Sequence, residues 1–180
     1  MHVLGSSVLA LWLFHHVSVH AWMTYRDENR IDEYEREDRI IFPGTKWCGN
    51  GNVAQGPQDL GSLKETDACC RDHDMCPDII EAGKSKHNLT NSADYTRLNC
   101  DCDERFYHCL KKSKETGSGS VRWTYFSVLN TQCYRNEHPI VRCKKKGWFR
   151  CLDYQLDNSQ PKRYQWFDVS SVQAFPRILI

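Results

Sequence analysis

The sequence predicts a mainly α-helical domain with a small β component: two antiparallel disulfide-linked helices, a Gly-rich loop ahead of them, and C-terminal β-hairpins. Three observations carry that expectation. The chain holds ten cysteines, an even count and far above average usage, which implies a disulfide framework formed outside the cytosol. Cys69 and Cys76 fall in one helix-compatible run, and Cys102 and Cys109 in another, each pair at i and i+7 on a single face. In an antiparallel helix pair, contacting residues keep a constant index sum, and both Cys69 with Cys109 and Cys76 with Cys102 add to 178. Two bridges can therefore clamp the two helices two turns apart.

The N-terminal run Val3 to Phe14 is mostly apolar, and the first charged side chain is Arg26. Twelve residues suit the apolar region of a signal peptide and fall short of the roughly 20 that a spanning helix needs. Small residues around Val19-His20-Ala21 place the cut after Ala21, so residues 1–21 read as a signal peptide. Residues 22–39 carry seven acidic side chains and four arginines with almost no apolar pattern, and read as an acidic propeptide. Arg36-Glu37-Asp38-Arg39 has the R-x-x-R form of a secretory processing signal, so the mature domain is expected over residues 40–180, with a tail from about 170. Across the whole chain 24 basic residues meet 23 acidic ones, which excludes a nucleic-acid binder built on bulk charge.

Within the mature part, residues 42–61 contain Pro43, Gly44, Gly49, Gly51, Gly56, Pro57 and Gly61 and read as an irregular loop able to turn its carbonyls inward. A first helix is expected from about Leu63 to Met75, with Thr66 or Asp67 able to cap an inner turn and Pro77 forcing a stop. Residues 83–97 are polar, and Asn88-Leu89-Thr90 is an N-glycosylation sequon on an exposed loop. A second helix is expected from about Leu98 to Ser113, ended by Gly117-Ser118-Gly119-Ser120. Val121 to Leu129 reads as a strand or a short helix, Cys143 to Cys151 as a hairpin with clipped arms, and Arg163 to Val169 as a final strand.

The helix register also sets His73 opposite Asp103. A carboxylate that accepts a hydrogen bond from one ring nitrogen fixes the tautomer and leaves the other nitrogen as a base near neutral pH. Asp74 follows one position on, about 100° around the helix, toward the Trp47-Cys48-Gly49-Asn50-Gly51 loop. One carboxylate with loop carbonyls makes a hard oxygen set that suits calcium, whereas Cys69-Cys70 and Cys100-Asp101-Cys102 lack zinc spacing.

Trp47-Cys48-Gly49-Asn50-Gly51 followed by Asp67-Ala68-Cys69-Cys70-Arg71-Asp72-His73-Asp74-Met75-Cys76-Pro77 resembles the calcium loop and active-site helix of secreted phospholipase A2. Ile41 to Thr45, Ser85-Lys86-His87, Cys100 to Asp103, Glu137-His138-Pro139 and Tyr164 to Asp168 are similar to the group III, bee-venom type. The resemblance spans roughly Ile40 to Val169 and implies the phospholipase A2 fold. It also implies a secreted, calcium-dependent enzyme that hydrolyses the sn-2 ester of glycerophospholipids. His73 would be the general base, Asp103 its orienter and Tyr125 a hydrogen-bond donor to Asp103. The carbonyls of Trp47, Gly49 and Gly51 and the carboxylate of Asp74 would hold Ca²⁺, and the Gly49 amide would face the oxyanion. The implied bridges are Cys48 with Cys70, Cys69 with Cys109, Cys76 with Cys102, Cys100 with Cys133 and Cys143 with Cys151. No Ser or Cys nucleophile is required, and the sequence has no G-x-S-x-G elbow. The expected partner is a phospholipid membrane surface met by a monomer; Ile40, Ile41, Phe42 and the aromatic tail either contact that surface or finish the core, and Lys144 to Lys146 read as a solvated turn.

Overall fold

The computed structural model describes residues 39–169. The expected signal peptide, nearly all of the acidic segment and the tail from Ser170 lie outside the described residues. The compact unit that contains the cysteines begins at Ile40.

Helix α1 spans Lys64–Asp74 and α2 spans Cys100–Lys112. Cys69–Cys109 and Cys76–Cys102 join them, as the shared index sum requires of an antiparallel pair. Bridges of this kind each contribute about 2–4 kcal/mol. Cys48–Cys70 ties the glycine-rich loop to α1, Cys100–Cys133 ties the start of α2 to a later strand, and Cys143–Cys151 clips the last hairpin. These are the five pairs that the family resemblance implies.

The side chain of Asn99 caps α2 by accepting the Asp101 N–H at 3.0 Å, and Lys111 and Lys112 complement its C-terminal dipole. The start of α1 is arranged differently from the expectation. Leu63 occupies the cap position without a side-chain bond, and neither Thr66 nor Asp67 caps an inner turn. Glu115, far along the chain, accepts the N–H groups of Glu65 at 3.2 Å and Thr66 at 2.8 Å. Burial works against its charge, but these backbone donors hold the Glu115 carboxyl below the usual range.

The Gly/Ser run does not end α2, which stops at Lys112. It lies inside a third helix, α3, Thr116–Trp123, which continues into a π-helical turn over Thr124–Val128. Packing overrides propensity here: a Cβ on Gly117 would come within 2.5 Å of Leu63 Cδ1, so any larger residue would have to displace the Leu63 side chain as α3 meets the start of α1. The segment left open between strand and helix is thus helical as far as Val128.

The strands are β1 Ile79–Ile80, β2 Ser85–Lys86, β3 Leu89–Thr90, β4 Arg97–Leu98, β5 Gln132–Glu137, β6 Ile140–Lys146, β7 Cys151–Leu156 and β8 Arg163–Asp168. They pair antiparallel as β1 with β4, β2 with β3, β5 with β8 and β6 with β7. Strand occupies about as much of the described chain as helix, so the helical emphasis expected from the sequence does not hold. β5 is the largest omission. It pairs with β8, Cys133 opposite Phe167 and Tyr134 opposite Trp166, a non-local pairing with no local turn signal. Phe106, Leu110, Val121, Phe126, Phe167 and Val169 form the shared core between the helices and this sheet.

Candidate active site

His73 lies on the last turn of α1 and Asp103 on the first turn of α2, both buried. Their separation, His73 Nε2 to Asp103 Oδ1, is 3.0 Å. Tyr125, in the π-helical turn, donates its hydroxyl to the same Asp103 oxygen at 2.6 Å and stands 3.3 Å from His73 Nε2. Burial and the adjacent Asp103 hold the Tyr125 phenol well above its usual range, so it remains a donor. The imidazole stacks on Phe106 with centroids 4.4 Å apart, and Tyr125 meets it edge-on at 5.0 Å. These contacts fix the ring plane. With Nε2 turned to the carboxylate, Nδ1 has no hydrogen-bond partner among the described residues.

The loop before α1 is held to the helix by a carboxylate as well as by Cys48–Cys70. Asp67 is fully buried, and its two oxygens accept the N–H groups of Lys46 at 2.9 Å, Trp47 at 2.8 Å and Gly61 at 2.8 Å. The sequence reading gave Asp67 only a capping role. Its position three residues before Cys70 was the available signal, since a bridge from Cys70 to Cys48 brings the loop against that helix face. Asp67→Ala leaves three inward backbone donors without acceptors, at about 1–3 kcal/mol for each one that stays buried. We expect a loss of at least 3 kcal/mol in denaturant unfolding; a loss below 1 kcal/mol would show that the loop does not depend on this carboxylate.

Gly49 faces Ile41 across an isolated antiparallel bridge. The flanking bonds, Phe42 N–H to Cys48 O at 2.8 Å and Asn50 N–H to Ile40 O at 3.1 Å, make this the non-hydrogen-bonded pair, so the Gly49 N–H and C=O point away from the Ile41 segment. A Cβ there would come within 2.1 Å of Ile40 O, which reserves the position for glycine. Trp47 is buried, with its indole N–H donating to Asp59 O at 3.0 Å, and Gly51 sits at a φ of 74°.

Asp74 is solvent-accessible, yet its carboxylate accepts no hydrogen bond among the described residues. Loss of hydration pushes it up to about 7, against the pull of His73 and with the push of Asp67. No three His, Cys, Asp or Glu side chains converge among the described residues, and every cysteine is bridged. A cation here would have one carboxylate and otherwise main-chain oxygens. One carboxylate with main-chain oxygens is a hard oxygen set, the donor chemistry that suits calcium.

Asn88 stands apart from this centre, at the β2–β3 turn, where His87 and Asn88 take φ of 54° and 59° and leave the sequon exposed. Ile40 is exposed, whereas Phe42 packs on the core.

A family profile described as Phospholipase A2 matches residues 41–137. The chain is 76% identical to a protein called "Phospholipase A2" from Xylocopa appendiculata circumvolans over 179 residues, 99% of each chain. It is 52% identical to a "Phospholipase A2" from Apis mellifera over 168 residues, covering 93% of this chain and 96% of the relative. A "Phospholipase A2" from Bombus pensylvanicus is 61% identical over 135 residues, 73% of this chain and 99% of that one. With a profile over more than half its length and bee relatives matched along almost all of it, this chain belongs to the phospholipase A2 family of hydrolases, in its group III, bee-venom branch.

Proposed function

We propose that this enzyme cleaves the sn-2 acyl ester of glycerophospholipids with calcium, releasing a fatty acid and a lysophospholipid, and that His73 is its general base. The observation that carries the reading is the pairing of His73 Nε2 with buried Asp103 while Nδ1 is left without a partner among the described residues. An imidazole so held donates from Nε2 and accepts a proton at Nδ1. As water attacks the ester carbonyl, its proton passes to Nδ1, and Asp103 stabilises the imidazolium that forms. When the tetrahedral intermediate collapses, Nδ1 returns the proton to the leaving sn-2 alkoxide. The Gly49 N–H, directed away from its bridge, donates to the oxyanion.

The Asp74 carboxylate and the carbonyls of Trp47, Gly49 and Gly51 would hold Ca²⁺. Bound there, calcium supplies positive charge to the substrate phosphate and the oxyanion. Fatty-acid release from phospholipid vesicles, with and without chelator, tests the reading; full activity in chelator overturns it.

Asp103→Asn removes a charge-assisted bond to His73, worth about 1.5–3 kcal/mol, and should lower turnover about 10- to 100-fold. Tyr125→Phe removes one neutral donor to Asp103 and should cost about fivefold. Steady-state kinetics of the two variants check this order, and a reversed ranking would refute the roles assigned.

The proposal extends to the life of the chain: a signal peptide over residues 1–21, an acidic propeptide over 22–39, secretion, glycan addition at Asn88 and action as a monomer on phospholipid surfaces. Arg36 and Arg39 should direct cleavage after Arg39. N-terminal sequencing of secreted protein is expected to read Ile40-Ile41-Phe42, and a start at Trp22 would show that no propeptide is removed.

A further inference from the structure

Besides Ile40, the described chain exposes large aromatic side chains between its C-terminal strands. Trp148 is 95% exposed and Phe149 is 79% exposed, at the tip of the β6–β7 hairpin. The two rings meet edge-on with centroids 6.2 Å apart. Large aromatic side chains held so fully in water mark a contact surface. The Cys143–Cys151 bridge and the Gly147 N–H to Arg150 O bond of 2.8 Å brace the tip, which opposes its folding back onto the core.

Charge surrounds the pair. Lys144, Lys145 and Lys146 are exposed on β6; Asp153 stands opposite Lys145 in the ladder and pairs with Lys144 at 3.6 Å. Lys145 and Lys146 have no ion-pair partner among the described residues. Arg150 is used otherwise: its guanidinium donates to the carbonyls of Phe126, Ser127, Leu129 and Val169 at 2.7–3.2 Å. This locks the connection between β6 and β7 to the turn that carries Tyr125 of the catalytic centre and that exposes Val128 and Leu129.

We infer that the β6–β7 hairpin is a membrane anchor, in which Trp148 and Phe149 enter the interfacial layer of a phospholipid surface while Lys145 and Lys146 pair with anionic headgroups. The inference rests on the phospholipid-hydrolase reading for its partner. An aromatic tip flanked by cations has the chemistry of an interfacial element: the rings gain by leaving water, and each lysine gains from a negatively charged leaflet. The Arg150 clamp then ties the anchored hairpin to the segment beside His73, so docking and catalysis share one rigid support.

Three proteins test this: wild type, Trp148→Ala with Phe149→Ala, and Lys145→Gln with Lys146→Gln. Sedimentation with vesicles of diether phosphatidylcholine or diether phosphatidylglycerol, whose ether links resist hydrolysis, reports binding alone. The aromatic variant is expected to lose about tenfold or more in partition on both surfaces. The lysine variant should lose about fivefold per lysine on phosphatidylglycerol and little on phosphatidylcholine. Turnover of a short-chain phospholipid dispersed below its micelle threshold should match wild type in both. Wild-type partition by the aromatic variant overturns the anchor, as does a dimer that this variant dissolves while vesicle partition is unchanged. If the aromatic variant also lost turnover on dispersed lipid, the lysine pair would decide, since undiminished phosphatidylglycerol binding there refutes the headgroup contacts. Absence of turnover on dispersed lipid in the wild type would instead refute the hydrolase reading and leave the binding arms to stand or fall separately.

Discussion

His73→Gln is expected to lower fatty-acid release about 10²- to 10⁴-fold while the chain stays folded, because it deletes general-base catalysis and little else. Glutamine is close in size to histidine and its amide can still donate to Asp103, so the buried carboxylate keeps a partner. It cannot take a proton from water near neutral pH. The scaffold does not depend on the imidazole, since Cys69–Cys109 and Cys76–Cys102 clamp α1 to α2 on either side of it. What is lost structurally is the stacking on Phe106, a modest term of about 0.5–1.5 kcal/mol. Single-turnover kinetics beside a thermal melt separate the two effects. Near-wild-type turnover would end the mechanism, and a collapsed melt would assign the loss to folding.

The parts of this centre legible in the sequence are those set by helix arithmetic. Cys69 with Cys109, Cys76 with Cys102 and His73 with Asp103 follow from a period of 3.6 and one antiparallel register, and the structure gives the first two as bridges and the third as a 3.0 Å contact. What stayed hidden depends on contacts between distant segments. Glu115 supplies the cap that α1 lacks from about fifty residues away, and nothing near Leu63 advertises it. Gly117 reads as a helix breaker until the Leu63 side chain against it is known. β5 carries no alternating pattern strong enough to announce itself; its partner β8 and the Cys100–Cys133 bridge define it. Asp67 is the intermediate case. Its helix face could have been computed from Cys70, yet its three backbone partners belong to a loop whose path no local rule gives.

Asp74→Ala should abolish calcium-dependent hydrolysis, and it should do so while making the metal-free protein at least as stable as wild type. The two expectations have one cause. Without a cation, partial burial and the nearby Asp67 charge push the Asp74 carboxyl up to about 7 against the pull of His73. A carboxyl whose folded value is raised above the unfolded one weakens the fold at neutral pH and above, and removing it relieves that cost. Asp67 and Asp59 are taken up by loop N–H groups and Lys46, so in the proposed site Asp74 supplies the charge and its removal leaves too little field to hold a divalent ion. Wild-type protein should therefore gain about 2.7 kcal/mol of stability at calcium a hundredfold above its dissociation constant, and Asp74→Ala should gain almost none. Calorimetric titration with calcium and unfolding with and without chelator read this independently of turnover. A variant that is destabilised without metal, or that still melts higher with calcium, would place the ion elsewhere and return Asp74 to the role of a structural carboxylate.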